Sequence, residues 1–554
     1  MGERTRLGLG VLGAALVLGG LGDMLLRATP WGVNFLIWVT VLAGMAALLA
    51  GWGRVGTGGE GKWMVFVAVV FAAGIVLRAS PVVVVLDVLA VLISLSLAVW
   101  RGRSGSLLRT GVSDYIMGGA LAGILTSAGP LPVSVADIEW REAMRGRWKG
   151  RALAASRGVL LAAPLLILFG ALFVAADAIF ERLVIDVFGF DLADVFTHLF
   201  LICLFAWITS GLLWAGLMAR VPENLVIPRP RAISLGIVEV GVILGLLDLL
   251  FLTFVVIQVR YLFGGTAHVS VTSGLTYAEY ARHGFFELAT VTALALPLLL
   301  LAHWLLRAEK RAHELLFRVL AGTMVALLFV VVASALQRMY LYQSEFGLTE
   351  LRLYTTVFML WISTVLVWFA LTVMRSRRDR FAFGALVTGF AAIFAINAMN
   401  PDALIASTNI VRMEEGKRFD AYYLTTLSAD AVPVLVEAFP EIGAKPVWQG
   451  YSVERAVRYD WSPRPTNWRT WNLGRSRAYR AVGDYIESRP TREADNARAS
   501  IPQQDKAHLR RPSRVIHNML WINRSQRGIS DPCVTSGLRP DGLRSPQASL
   551  RYAS

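Results

Sequence analysis

Eleven stretches of this chain run for about 18 residues or more almost without charge, the length at which an α-helix crosses roughly 30 Å of hydrocarbon. They lie at 7–26, 31–52, 62–78, 81–100, 156–178, 196–218, 233–257, 285–306, 315–336, 353–374 and 381–399. The runs are Leu, Val, Ala and Phe with no alternating polar positions, so they fit helices and exclude a transmembrane β-barrel. With 55% hydrophobic and 17% charged residues, the chain is too apolar to bury itself as a water-soluble globule. The expectation is an all-α integral membrane protein with about eleven transmembrane helices, and the lipid bilayer as its first partner.

The N-terminus, "MGERTRLGLGVLGAALVLGGLGDML", begins with basic residues and an apolar run, as a signal peptide does. No small-x-small cleavage site follows, so it is read as the first span. The window 111–133 is ambiguous because it carries five glycines, two prolines and Asp114. If it does not span, 24 Lys/Arg before residue 400 fall on one side of the membrane and 7 on the other; if it does, the division is 19 to 12. The positive-inside rule favours the first arrangement. This puts the N-terminus in the cytoplasm, makes 101–155 a basic cytoplasmic loop with an interfacial or re-entrant segment, and leaves everything after Asn400 outside. The net charge of +15 is therefore orientation charge spread over short loops and a basic tail, and nucleic acid is not an expected partner.

Composition divides the chain at about 400 and 478. Residues 1–400 form the polytopic part. Residues 401–478 read as a small ordered extracytoplasmic segment, with Asp430 starting a helix in "LSADAVPVLVEAF" and Trp448, Tyr451, Trp461, Trp468 and Trp471 following. From 479 to 554 no period is sustained and Arg, Ser and Pro are frequent, the texture of a disordered tail. The change after "NLGRSRA" is abrupt enough to suggest a shifted reading frame.

Several polar clusters fall at the outer ends of spans. In "GLTYAEYARHGFFEL", 274–288, Thr276 and Glu279 have capping-box spacing, with Leu275 and Tyr280 as the hydrophobic staple. "GLT" returns at 347–349, where Thr349 is expected to cap, Glu350 to sit at the positive helix end and Leu348 to staple to Leu353. Capping does not explain Glu279, His283 and Glu287, which share one helical face, with Arg282 beside them. Asp194 and His198 repeat that four-residue spacing. A metal needs three or four converging ligands, so no metal and no cofactor are assigned; His283 suits proton exchange or a sugar or phosphate contact better. The two cysteines form no framework, and no phosphate loop, GxSxG elbow or HExxH occurs. Within the bilayer, Asp248 lies midway along its span and requires a partner or a cavity. Glu239 and Asp87 lie nearer the ends, where snorkelling or pairing with Arg231 or Arg78 is expected.

The segments "YLFGG" (261–265), 274–288, "ASALQRMYLYQSEFGLTELRLY" (333–354) and "LSADAVP" (427–433) resemble a bacterial family of polytopic membrane proteins, one of the domain-of-unknown-function families. The resemblance covers most of 1–478. It implies a bacterial inner-membrane location, and supplies neither an activity nor catalytic residues. The candidate functional residues are Asp248, Glu279, Arg282, His283, Glu287, Glu345, Glu350 and Arg352, with catalytic residues unknown. The leading expectation is a transporter-like or envelope-accessory protein whose polar surface faces outward toward a small molecule, an ion or an envelope partner. The alternatives are a membrane-embedded transferase using a lipid-linked donor, with Asp23 as acid or base, and a sensor or scaffold.

Overall fold

The computed structural model describes residues 2–140, a scatter of positions between 158 and 180, 192–219, 235–263, 285–306, 311–443 apart from 376, 418 and 419, and 453–488. Helices account for its regular structure: α1 (Glu3–Leu26), α2 (Val33–Trp52), α3 (Lys62–Leu77), α4 (Pro81–Arg101), α5 (Val112–Ser127), α6 (Leu192–Leu217), α7 (Ile237–Phe263), α8 (Phe285–Leu305), α9 (Arg311–Phe346), α10 (Glu350–Thr372), α11 (Phe381–Met399) and α12 (Pro401–Glu414), then five shorter ones to Glu487. Nine of these helices are long and apolar enough to cross a membrane among the described residues. They coincide with nine of the eleven windows. The window at 62–78 is the shorter apolar helix α3, and most of 156–178 lies outside the described residues. The protein is an all-α, multi-pass membrane protein.

Close helix approach is bought by small residues. At Gly19 and Gly22 of α1 an added Cβ would come within 2.6 Å of the Ile202 carbonyl and the Phe205 ring of α6, so glycine lets these two backbones touch. The ambiguous segment packs back onto one end of the bundle. The Tyr115 hydroxyl donates to the Leu107 carbonyl (2.8 Å), and its ring stacks edge-on to Trp100. Beyond α5, a π turn at Val133–Asp137 brings Ile138 against Gly8 of α1.

Residues 401–488 cover the opposite end. A hydrophobic core of Ile405, Leu424, Val432, Leu435, Phe439 and Val482 also takes in Leu348 and Leu353 from the bundle. Asn472 donates its side-chain amide to the carbonyls of Ile75 (2.8 Å) and Arg78 (2.9 Å), closing the C-terminal end of α3. The boundary that composition placed at 478 falls inside a helix, Leu473–Glu487, in which Ala478 and Val482 are fully buried and Tyr485 stacks on Phe439. Residues 489–554 lie outside the described residues.

Candidate functional site

Three helix starts converge at the covered end: α4 at Ser80–Pro81, α10 at Thr349–Glu350 and α12 at Asn400–Pro401. Each presents unpaired N–H groups and the positive end of its dipole, and each meets a carboxyl group. The Asp430 carboxylate accepts from the N–H groups of Ala79 (2.6 Å) and Ser80 (3.3 Å), holding the turn that leads into α4 from more than 300 residues away. The Asp402 carboxylate accepts from the Ser428 N–H at 3.2 Å. The carboxyls of Glu350 and Asp402 lie within hydrogen-bonding reach of each other.

This is a dry neighbourhood. Asp402 and Ser80 are fully buried, and Asp430 is 6% exposed. Burial pushes both Asp402 and Asp430 above the ordinary aspartate range, because it penalises the charged form. The Tyr423 hydroxyl is pushed up to about 12 by the same cause; it stays protonated while its oxygen accepts from the Glu350 N–H at 2.8 Å. The Tyr354 hydroxyl lies 3.3 Å from the Ser80 hydroxyl. Two neighbouring carboxyl groups, Asp402 fully buried and Glu350 half-buried, oppose each other's ionisation, which favours a shared proton on the pair. Chemically the arrangement can bind, hold and release a proton.

The geometry revises the sequence expectations. Thr349 occupies the N-cap position without a side-chain capping bond; the Tyr423 hydroxyl reaches in from outside and satisfies the first N–H instead. Glu350 is thus a member of a carboxyl pair rather than only a dipole partner. The expected Leu348–Leu353 staple belongs to one buried cluster. Arg352 closes the turn: it donates to the carbonyls of Phe346 (3.1 Å) and Gly347 and stacks 4.0 Å over the Tyr342 ring. Gly347 sits at φ +78°, where an added Cβ would also strike Asn409. Glu345 is exposed, and its carbonyl accepts from Arg412 at 3.0 Å. Asp430 does not cap its own short helix; Ser428 does.

Away from this cluster, Glu287 is exposed at the start of α8, while Thr276, Glu279, Arg282 and His283 lie outside the described residues. Glu239 turns back on the Gly236 N–H and caps its own helix; Arg231 is not among the described residues. Asp87 does not pair with Arg78. It takes the side-chain amide of Asn397, while Arg78 donates to the Asn397 and Ala398 carbonyls. Asp248 is 8% exposed with no donor on either carboxyl oxygen. Asp23 is buried against His198 Nδ1 at 2.6 Å, and Arg27 bridges His198 and Asp194. Among the described residues no three metal-ligating side chains converge. Sequence reasoning passed over Asp402, Ser80 and Tyr423; the one local signal was the "NPDA" helix start at 400–403.

A family profile described as Domain of unknown function (DUF4153) matches residues 65–438, a span that contains Ser80, Asp87, Glu350, Asn397, Asp402 and Asp430. No curated protein and no solved structure matches the chain.

Proposed function

The chain belongs to the DUF4153 family, and from the acidic cluster at its covered end we propose that it is a transporter-like protein of the bacterial inner membrane, with a proton-binding acidic site facing outward. The Glu350–Asp402 carboxyl pair carries the reading, because a proton held between helix starts at one membrane face is what coupling to a proton gradient requires. The 24-to-7 division of basic loop residues supports an outward orientation for this face. All three carboxyls of the cluster lie inside the part of the chain that the family shares. The test uses the purified chain in proteoliposomes containing a pH-sensitive dye, with acid added outside. The wild type is expected to acidify the lumen, and Glu350→Gln and Asp402→Asn to lose that flux while remaining folded. Equal flux in the wild type, both variants and empty liposomes would end the proposal.

A second reading, a membrane-embedded transferase acting on a lipid-linked donor, is favoured by the Asp23–His198 pair. Asp23 and Arg27 hold the two ring nitrogens of a half-exposed imidazole, which becomes a general base when the Arg27 contact opens. Turnover of a lipid-linked donor that is lost in His198→Gln and intact in Asp402→Asn would select it.

A further inference from the structure

Among the described residues, the most completely buried carboxyl in the membrane part is not explained by the outer pair. Asp87, on α4, is fully buried, and Asn397, on α11, is 8% exposed. The Asn397 amide Nδ2 donates to Asp87 Oδ1 at 2.8 Å and to the Ile393 carbonyl at 3.2 Å. The two remaining oxygens, Asp87 Oδ2 and Asn397 Oδ1, are buried with no donor. They border the same space: a Cβ at Gly74 would stand 2.5 Å from the first and 3.0 Å from the second.

Two acceptors bordering one dry space repel, and each unmet acceptor is costly. A single hydrogen removes both deficits. Placed on Asp87 Oδ2 and donated to Asn397 Oδ1, it closes a two-bond acid–amide ring whose other bond is the 2.8 Å contact already present. The neighbouring charges do not replace it. On α3, Arg78 spends its guanidinium on the Asn397 carbonyl at 2.6 Å and the Ala398 carbonyl at 3.4 Å, and its charge faces Asp430. The α5 helix brings Asp114 and Tyr115, and Tyr115 lies beside Trp100 at the far end of α4. The outer end of α6 brings Asp194 and His198, which are held by Arg27 and Asp23. Among the described residues no cation pairs with Asp87.

We infer that Asp87 carries a proton and shares it with Asn397, so that this acid–amide pair is a second proton-binding site within the membrane. It lies seven residues along α4 from Ser80, a depth of about 10 Å below the outer pair. The turn joining the two sites adds one more buried acceptor without a donor, Asn400 Oδ1. The inference extends the proton-coupled reading and stands or falls separately from it.

Infrared spectroscopy of the full chain in a bilayer at neutral pH tests it. The wild type is expected to show a protonated-carboxyl band that shifts in D2O. Asp87→Asn, which can rebuild the ring as an amide pair, is expected to lose that component, while Glu350→Gln and Asp402→Asn retain it. If Asp87→Asn does not accumulate, Asn397→Ala is expected to shift the band toward that of an unbonded acid. A spectrum unchanged by either substitution shows Asp87 ionised and overturns the inference. So does a rise in melting temperature with sodium but not potassium, present in the wild type and lost in Asp87→Asn, which makes the occupant a sodium ion.

Discussion

Replacing Asp402 by Asn changes one proton and almost no volume. Asp402 accepts from the Ser428 N–H at 3.2 Å and faces Glu350 while fully buried. An amide keeps an acceptor for Ser428 and offers a donor to Glu350, so the substitution preserves the packing. It removes Asp402's share of the proton dependence. In the wild type, burial raises Asp402 above the unfolded aspartate value of about 4. Between that value and the folded one, the folded state binds more protons than the unfolded state, so stability is fully present at low pH and falls as pH rises. One proton contributes a slope of about 1.4 kcal/mol per pH unit, or up to about 3 kcal/mol between pH 5 and 7 if the proton is held throughout. Thermal unfolding of both proteins in detergent across that range measures it. Wild-type stability is expected to fall with pH more steeply than that of Asp402→Asn, whose remaining slope belongs to the other buried carboxyls such as Asp430, the variant matching or exceeding the wild type at the alkaline end. An Asn variant with the full wild-type slope, or a wild type that gains stability as pH rises, would refute the reasoning.

Gly474→Ala should destabilise the covered end by about 1–3 kcal/mol, because the new Cβ would lie 2.1 Å from Asp430 Oδ1; unchanged thermal stability would show that Asp430 does not hold that position. Asp248→Leu should leave stability equal or higher, since neither carboxyl oxygen has a donor to orphan, and a clear drop in melting temperature would reveal a cation bound there. A reporter active only in the cytoplasm should be active when fused after Arg103 or Arg311 and silent after Gly265 or Gly416; activity at Gly416 would invert the orientation.

Hydropathy is a local property, and the spans were legible from it because each needs only its own residues to satisfy its backbone. The site is not local. Glu350 was noticed through helix-start logic, but its partner Asp402 stands 52 residues on, and Ser80 and Asp430 belong to opposite ends of the chain. Thr349 has the right residue type for a cap, yet the Tyr423 hydroxyl, brought in by the packing of 421–425, takes the Glu350 N–H. Arg78 and Asp87 look like a pair in sequence; the structure separates them because Asn397 serves both, through its carbonyl and its amide. The helix at Leu473–Glu487 was cut short at 478 because its apolar residues are sparse and meet their core only across the fold.

The central claim is that Glu350 and Asp402 hold one proton between them at neutral pH. Carbon-13 NMR of the side-chain carboxyls in the bilayer-embedded protein, titrated from pH 4 to 9 and assigned with Glu350→Gln and Asp402→Asn, reads it directly. The account predicts two coupled transitions, one carboxyl still protonated at pH 7, and the partner's titration moving when either residue is replaced. Two independent transitions, both complete in the ordinary carboxylate range near 4, would contradict it.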